Sequence, residues 1–299
     1  MAYGLPYMGS KNSIAPKIIS VLPKAENFYD LFCGGCAITE CAMLSKKWNK
    51  VYFNDLDGDV PQLFLDAIDG KYKDRKEWVS REDFFRLKDK DAYIRLAWSF
   101  GYKGTSYAYS KEIEPYKKAY WYAVMYDDFS LLWKLGINIP KVKAKSFKDK
   151  RLELKKRLKE IDGRLPNLYA LQSLESLERL QRIQSLGKLG RQNIELTKLS
   201  YDEVEIKPNS ILYCDIPYEG TSSYVVGAFN HKKFYDWACE QKELVVISSY
   251  NINDDRFQRV VNFKKRSLLS AKGTADKKDE GLFVPKTQIN LWKKLKENK

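Results

Sequence analysis

Residues 210–218, Ser-Ile-Leu-Tyr-Cys-Asp-Ile-Pro-Tyr, put a carboxylate, two backbone carbonyls and an aromatic ring at the end of one short apolar run. The Asp215 side chain and the Ile216 carbonyl can each accept a hydrogen bond from the same amino group, and Tyr218 offers a flat face to a ring. A nucleobase bearing an exocyclic amine suits that set. An ordinary strand-to-turn exit would carry the same residues. The element that must position them is a strand. Ile211, Leu212 and Tyr213 have the character of a buried one, and Pro217 forbids a further ladder bond. In open α/β sheets, ligands bind at the carboxyl ends of strands.

A second constellation lies near the N-terminus. Phe28–Phe32 reads as a strand, Cys33-Gly34-Gly35-Cys36 as a tight loop, and Ala37–Leu44 as the start of a helix. Strand, glycine turn and helix form the geometry in which backbone approaches a nucleotide cofactor closely. The G-x-G-x-x-G spacing is absent, so another adenosine-bearing cofactor fits better than a dinucleotide. A further strand, Val51–Phe53, ends near Asp55, which follows the glycine turn at about the distance expected of a ribose-binding acid. Upstream, Gly9 makes a turn flanked by Tyr7 and Lys11. Ser10 or Asn12 is expected to cap a helix carrying Ile14, Ile18 and Leu22.

Taken in order, Tyr7-x-Gly9-x-Lys11, Asp30-Leu31-Phe32-Cys33-Gly34-Gly35, Asn54-Asp55 and Asp215-Ile216-Pro217-Tyr218 resemble the motifs of Dam-like (alpha-group) DNA adenine-specific N6-methyltransferases of bacteria and their phages. Ser99-Phe100-Gly101, the leucine-rich stretch around 171–186 and Glu280–Val284 add to the likeness. The resemblance implies an α/β fold, a Rossmann-like doubly wound sheet with a mostly helical target-recognition insert. Residues 1–70 and 165–299 would form the discontinuous methyltransferase core, and 71–164 the DNA-binding insert. It also implies S-adenosyl-L-methionine as cofactor and S-adenosylhomocysteine as product. Tyr7, Lys11, Phe32, Gly34, Asp55 and Asp215 would line the cofactor pocket, and Asp215, Ile216, Pro217 and Tyr218 would hold the base.

Composition agrees with a polyanionic partner. The 299 residues include 53 basic and 39 acidic side chains, a net charge of +14, with 14% aromatics. That balance favours nucleic acid over a merely soluble basic protein, and the resemblance implies that the partner is double-stranded DNA. Residues 141–160 hold ten Lys or Arg against three acids, an excess that suits phosphate contact. The Gly- and Tyr-rich stretch 99–109 places Lys103, Tyr107 and Tyr109 as DNA-binding candidates. Five cysteines, an odd number, argue against a disulfide framework. Cys33-x-x-Cys36 lacks a second ligand pair, so no metal is expected. One histidine, His231, in a lysine-rich segment reads as a surface residue. With no apolar stretch of about 18 residues, the chain is expected to be cytoplasmic, in a bacterial or phage-infected cell, and monomeric.

Farther on, a helix with Leu171, Leu174, Leu177, Leu180 and Ile183 inward is expected to rejoin the core. The loop Glu219–Tyr224 is expected to close over a base. Asn230–Lys242 reads as a helix, Leu244–Ser248 as a buried strand, and 258–269 and 282–292 as two long terminal strands joined by a charged loop. The chemistry implied is direct transfer to the amine of an extrahelical base, with Asp215 needing little basicity. Attack through a base carbon would require a cysteine nucleophile, usually in Pro-Cys, and the chain contains no such dipeptide. Methylation of a cytosine amine or of RNA, or a catalytically weak DNA-binding protein on this scaffold, are the other readings. The family pattern carries Asp-Pro-Pro-Tyr, so Ile216 is a departure that removes the fixed φ of proline.

Overall fold

The computed structural model describes residues 3–7, 9–102, 104–142, 147–160, 175–191, 193–218, 229–263 and 279–297. The chain sorts into two compact units, one formed by Met1–Leu5, Gly9–Asp69 and Leu189–Lys299, the other by Pro6–Met8 and Gly70–Lys188.

The first unit contains the sheet. Its strands are β1 (Asn27–Asp30), β2 (Lys50–Asn54), β3 (Ile194–Thr197), β4 (Ser210–Cys214), β5 (Leu244–Ser249), β6 (Phe257–Phe263) and β7 (Glu280–Pro285). They lie in the order β3-β2-β1-β4-β5-β7-β6. The first five run parallel, and β7 is antiparallel to both β5 and β6. This is the doubly wound α/β sheet the sequence implies, with one antiparallel strand added. The order reverses between β1 and β4, and a crevice opens at the carboxyl ends of strands where that happens. Every residue of β4 and β5 is buried, which explains why neither sequence alternates. The edge strand β6 exposes Gln258, Arg259 and Asn262 instead, polar residues that discourage pairing with another chain.

Helices α1 (Ala15–Val21), α2 (Ala37–Ser45) and α3 (Asp59–Ile68) accompany β1 and β2. The expected side-chain cap on α1 is not there. Ile14 occupies the N-cap position, a proline opens the first turn, and the Asn12 Oδ1 accepts from the Tyr3 amide at 2.8 Å instead. Proline is pre-set for that first turn and lacks the N–H a cap would satisfy.

The second terminal strand is also shorter than expected. β7 stops at Pro285, a 3-10 turn covers Lys286–Gln288, and Ile289–Glu297 is a helix. Proline ends the ladder. Buried Gln288 then fixes the turn, accepting from the Val245 amide (2.8 Å) and donating to the Gln241 (2.8 Å) and Glu243 (2.9 Å) carbonyls. Residues 264–269 and the Glu219–Tyr224 loop lie outside the described residues.

The second unit is built from helices Arg81–Leu87, Ala92–Ala97, Glu114–Met125, Ser130–Lys134, Phe147–Glu160 and Glu175–Leu186. Ser80 and Asp91 cap the first two, accepting from the Asp83 (3.1 Å) and Tyr93 (2.9 Å) amides. Its core is aromatic: Trp98 and Trp121 are fully buried, with Trp78 edge-on to both. Helix Glu175–Leu186 packs on Ala92–Ala97 within this unit, burying Leu177, Leu180, Ile183 and Leu186. Leu171 and Leu174 lie outside the described residues. Among the described residues, no helix is long and apolar enough to cross a membrane.

Candidate functional site

Strand β4 delivers Asp215 to the sheet's carboxyl edge, and the loop that follows folds back over it. Lys11 Nζ donates to Asp215 Oδ1 and to the Tyr218 hydroxyl, both at 2.6 Å. These residues are more than 200 positions apart in the chain. The Tyr218 hydroxyl lies 3.1 Å from Glu280 Oε2, and Ser248 Oγ donates to Glu280 Oε1 at 2.8 Å. Lys11 reaches the same Oε1 at 3.6 Å. The Tyr250 ring stacks on Tyr218 with centroids 4.3 Å apart. One ammonium therefore serves two carboxylates, at the point where β1, β4, β5 and β7 meet.

Electrostatics in this cluster follow from burial. Burial pushes Asp215 up to about 6, Lys11 opposes the rise, and Glu280 adds to it. Burial would lower Lys11, but Asp215 and Glu280 outweigh it and hold the ammonium above the usual lysine value. Burial also raises Tyr218, reinforced by Asp215 and Glu280, so the phenol keeps its proton.

Ile216 and Pro217 complete the motif differently. Ile216 is buried, packed in the core with Leu212, Phe234 and Val245. The Pro217 carbonyl lies 2.7 Å from His231 Nε2. A carbonyl can only accept, so this nitrogen carries the proton. His231 opens the helix His231–Glu240, capped by the Asn230 side chain. It is half-buried and tied to the motif, which corrects the reading of it as a plain surface residue.

At the neighbouring strand ends, Gly34 N donates to Asp55 Oδ2 at 2.8 Å. The glycine turn and the spaced acid are thus joined directly, because β1 and β2 are parallel neighbours. Asp57 N also donates to Asp55, at 3.0 Å. Burial raises Asp55 even against these two bonds. Phe32 is half-buried among Tyr201, Phe229 and Phe234, at 5.6 to 5.7 Å between ring centroids. Tyr7 packs with the second unit. Beside the turn, Asp30 accepts from Thr39 through Oδ2 (2.7 Å), while its buried Oδ1 has no hydrogen-bond partner among the described residues. Burial pushes this carboxyl up to about 7, against the Thr39 bond, with Asp215 and Asp55 adding to the rise.

The second unit corrects two DNA-contact expectations. Tyr107 and Tyr109 are each 4% exposed. Tyr107 donates its hydroxyl to the Val79 carbonyl (2.7 Å), and the Tyr109 hydroxyl accepts from the Ser176 amide (3.3 Å). Both rings pack against Trp98. They are core, and a base could reach them only if the unit opened. Lys103 lies outside the described residues. The same hairpin, closed by a Ser99–Tyr107 bridge, instead exposes Phe100 at 71%. In the basic run, Lys150, Arg151 and Arg157 pair with Asp127, Glu178 and Glu153.

Glu280 and Phe100 enter the sequence reading only inside motifs that add to the family likeness, without a role, and Ser248 and Tyr250 are not singled out there at all. The signal for Glu280 was an acid heading the apolar run 281–284, and for Tyr250 a polar strand end like that of β4.

A comparison with curated proteins gives no match. A comparison with protein families does: the model of the D12 class N6 adenine-specific DNA methyltransferases matches residues 7–168. That is more than half of the chain, and it takes in Tyr7, Lys11, Phe32, Gly34 and Asp55, while Asp215, Tyr218 and Glu280 fall beyond it. The doubly wound sheet agrees with that match, and the chain belongs to the D12 class of N6 adenine-specific DNA methyltransferases, enzymes that methylate the exocyclic amine of adenine in DNA.

Proposed function

We propose that Asp215 and the Ile216 carbonyl hold the N6 amine of an adenine that has left the duplex. Lys11 orients the Asp215 carboxylate, and the stacked Tyr218 and Tyr250 rings supply an aromatic wall for the base. The observation that carries this reading is the Lys11–Asp215–Tyr218 cluster at the carboxyl end of β4, beside the reversal of strand order.

S-adenosylmethionine is the cofactor, supported by the family and by the fit of the residues at the ends of β1 and β2. The buried Asp30 Oδ1, lacking a partner among the described residues, suits a group that brings a cation and hydrogen-bond donors. Asp55, already fastened to the glycine turn, suits ribose hydroxyls. Phe32 completes the set by the resemblance. The cofactor supplies an electrophilic methyl group and leaves as S-adenosylhomocysteine. No metal is involved. The protein's part is positioning: the carboxylate and carbonyl draw the amine hydrogens away and turn the nitrogen lone pair out of the base plane.

The second unit is the DNA-recognition domain. Exposed Phe100 and the basic helix Phe147–Glu160 are the surface elements that suit duplex DNA. The enzyme works as a monomer in the cytoplasm, where its substrate is.

The test is transfer of labelled methyl from S-adenosylmethionine to unmethylated genomic DNA, with the modified base identified by mass spectrometry. N6-methyladenine is expected, with the rate falling at least about a hundredfold in Asp215→Ala. An Asp215→Ala protein of undiminished rate would overturn the site assignment.

A further inference from the structure

Lys11 is only 6% exposed at its side chain and faces two carboxylates, Asp215 at 2.6 Å and Glu280 at 3.6 Å. Glu280 is itself 3% exposed and held by the Ser248 hydroxyl at 2.8 Å and the Tyr218 hydroxyl at 3.1 Å. A simple ion pair would need one carboxylate. The second has a consequence for the proton that the reaction must shed.

A methylated amine is at first cationic. One N–H bond then breaks, its electron pair stays on nitrogen, and the proton must find a base. The nearest carboxylate is Asp215, on the site assignment proposed above. If Lys11 were paired with Asp215 alone, protonating Asp215 would leave a buried ammonium without a counter-charge, a costly state. With Glu280 in place, that protonation leaves a Lys11–Glu280 pair intact.

We propose that Glu280 is a positioning residue that shares Lys11 with Asp215, so that Asp215 can take up the proton released by the methylated amine. The step balances: a cationic amine and an anionic carboxylate become two neutral groups. Asp215 later returns its proton to water. The other groups facing this pair fit the assignment. Tyr218 and Tyr213 are raised by burial and stay neutral phenols, Cys214 likewise stays a thiol, and Asp30 on β1, lifted by burial to about 7, largely keeps its proton where Asp215 titrates. Tyr250 stacks on Tyr218 at the end of β5.

Glu280→Gln tests the idea, because the amide keeps the size of the side chain and one acceptor oxygen, which can serve Ser248, while removing the charge. The expected kcat is lower by roughly 10- to 100-fold, with cofactor binding little changed. The acid limb of the kcat profile should move to lower pH by roughly half to one unit, since a like charge has been taken from Asp215. A second readout needs no turnover. The carboxyl-stretch band of Asp215, assigned by its loss in Asp215→Asn, should titrate at lower pH in free Glu280→Gln than in wild type. Glu280→Asp, which keeps the charge, should keep the wild-type midpoint.

A lowered rate with an unmoved limb and an unmoved infrared midpoint would mark Glu280 as merely structural and overturn the inference. So would a Glu280→Asp midpoint shifted like that of the amide. Full methyl transfer by Asp215→Asn would instead sink the site assignment itself. An inactive Asp215→Asn beside a wild-type Glu280→Gln would sink only the role given to Glu280.

Discussion

At Ile216, where the family pattern has proline, the side chain is 3% exposed and packs with Leu212, Phe234, Val245 and Phe257. Burial fixes the peptide that a pyrrolidine ring would otherwise fix, and His231 pins the next carbonyl from outside. Ile216→Ala should therefore cost about 2–4 kcal/mol in denaturant unfolding, along with activity. Asp30 makes a second prediction. Burial lifts its carboxyl from 3.8 to about 7, so between those values the folded chain binds more protons than the unfolded one. Its contribution to stability is then greatest at low pH and is lost as pH rises through that window. Asp30→Asn, which can still accept from Thr39, should raise stability by about 2–4 kcal/mol at pH 8. Thermal melts should show the gain shrinking toward pH 5, while cofactor affinity falls. Asp215 and Tyr218 could be picked from sequence because they follow a buried apolar run into a proline turn, whereas Lys11 flanks the Gly9 turn and came in through the family resemblance. Tyr107 and Tyr109 misled because composition does not distinguish a stacking tyrosine from a buried one; only the Val79 and Ser176 partners decide it.

Among the elements, the β1–turn–α2–β2 unit was readable because every contact that defines it is local or nearly so. Gly34 and Asp55 are 21 residues apart, and adjacent parallel strands bring them together. Glu280 was opaque for the opposite reason. Its place depends on β7 inserting between β5 and β6, a pairing no short window encodes. The helix Ile289–Glu297 was hidden because Ile289, Leu291 and Trp292 read as the far end of a strand begun in β7, although Pro285 marked the break. In the second unit, Arg179 acts across elements. Its Nη1 donates to the carbonyls of Ala97 (3.2 Å) and Ser99 (2.6 Å), where helix Ala92–Ala97 meets the hairpin that carries Phe100. Arg179→Met would leave those buried acceptors short of a donor, at about 1–3 kcal/mol each. The expected result is a lower melting temperature for the enzyme and weaker DNA binding, with S-adenosylmethionine affinity unchanged in calorimetry. Weakened cofactor binding would show that the change had spread beyond the hairpin.

For the whole molecule, net charge sets how binding responds to salt. The chain carries +14, and residues 141–160 hold ten cations against three acids. If every cation in that run met a phosphate, the slope of log affinity against log salt would approach roughly −9 for duplex DNA. The structure argues for a smaller value. Lys150, Arg151 and Arg157 sit 2.6 to 2.9 Å from Asp127, Glu178 and Glu153, so part of their charge is balanced within the unit before DNA arrives. A slope of roughly −4 to −6 is expected for the 299-residue chain. Substitutions on the helix Phe147–Glu160 can separate the two kinds of cation. Lys156→Gln, at an exposed position, should reduce the slope by about one and weaken all DNA sequences alike. Lys150→Gln should change it less, because Asp127 already offsets that charge. Fluorescence-anisotropy titrations across a salt series measure both, and equal effects from the two substitutions would mean that the Lys150–Asp127 pair opens on DNA.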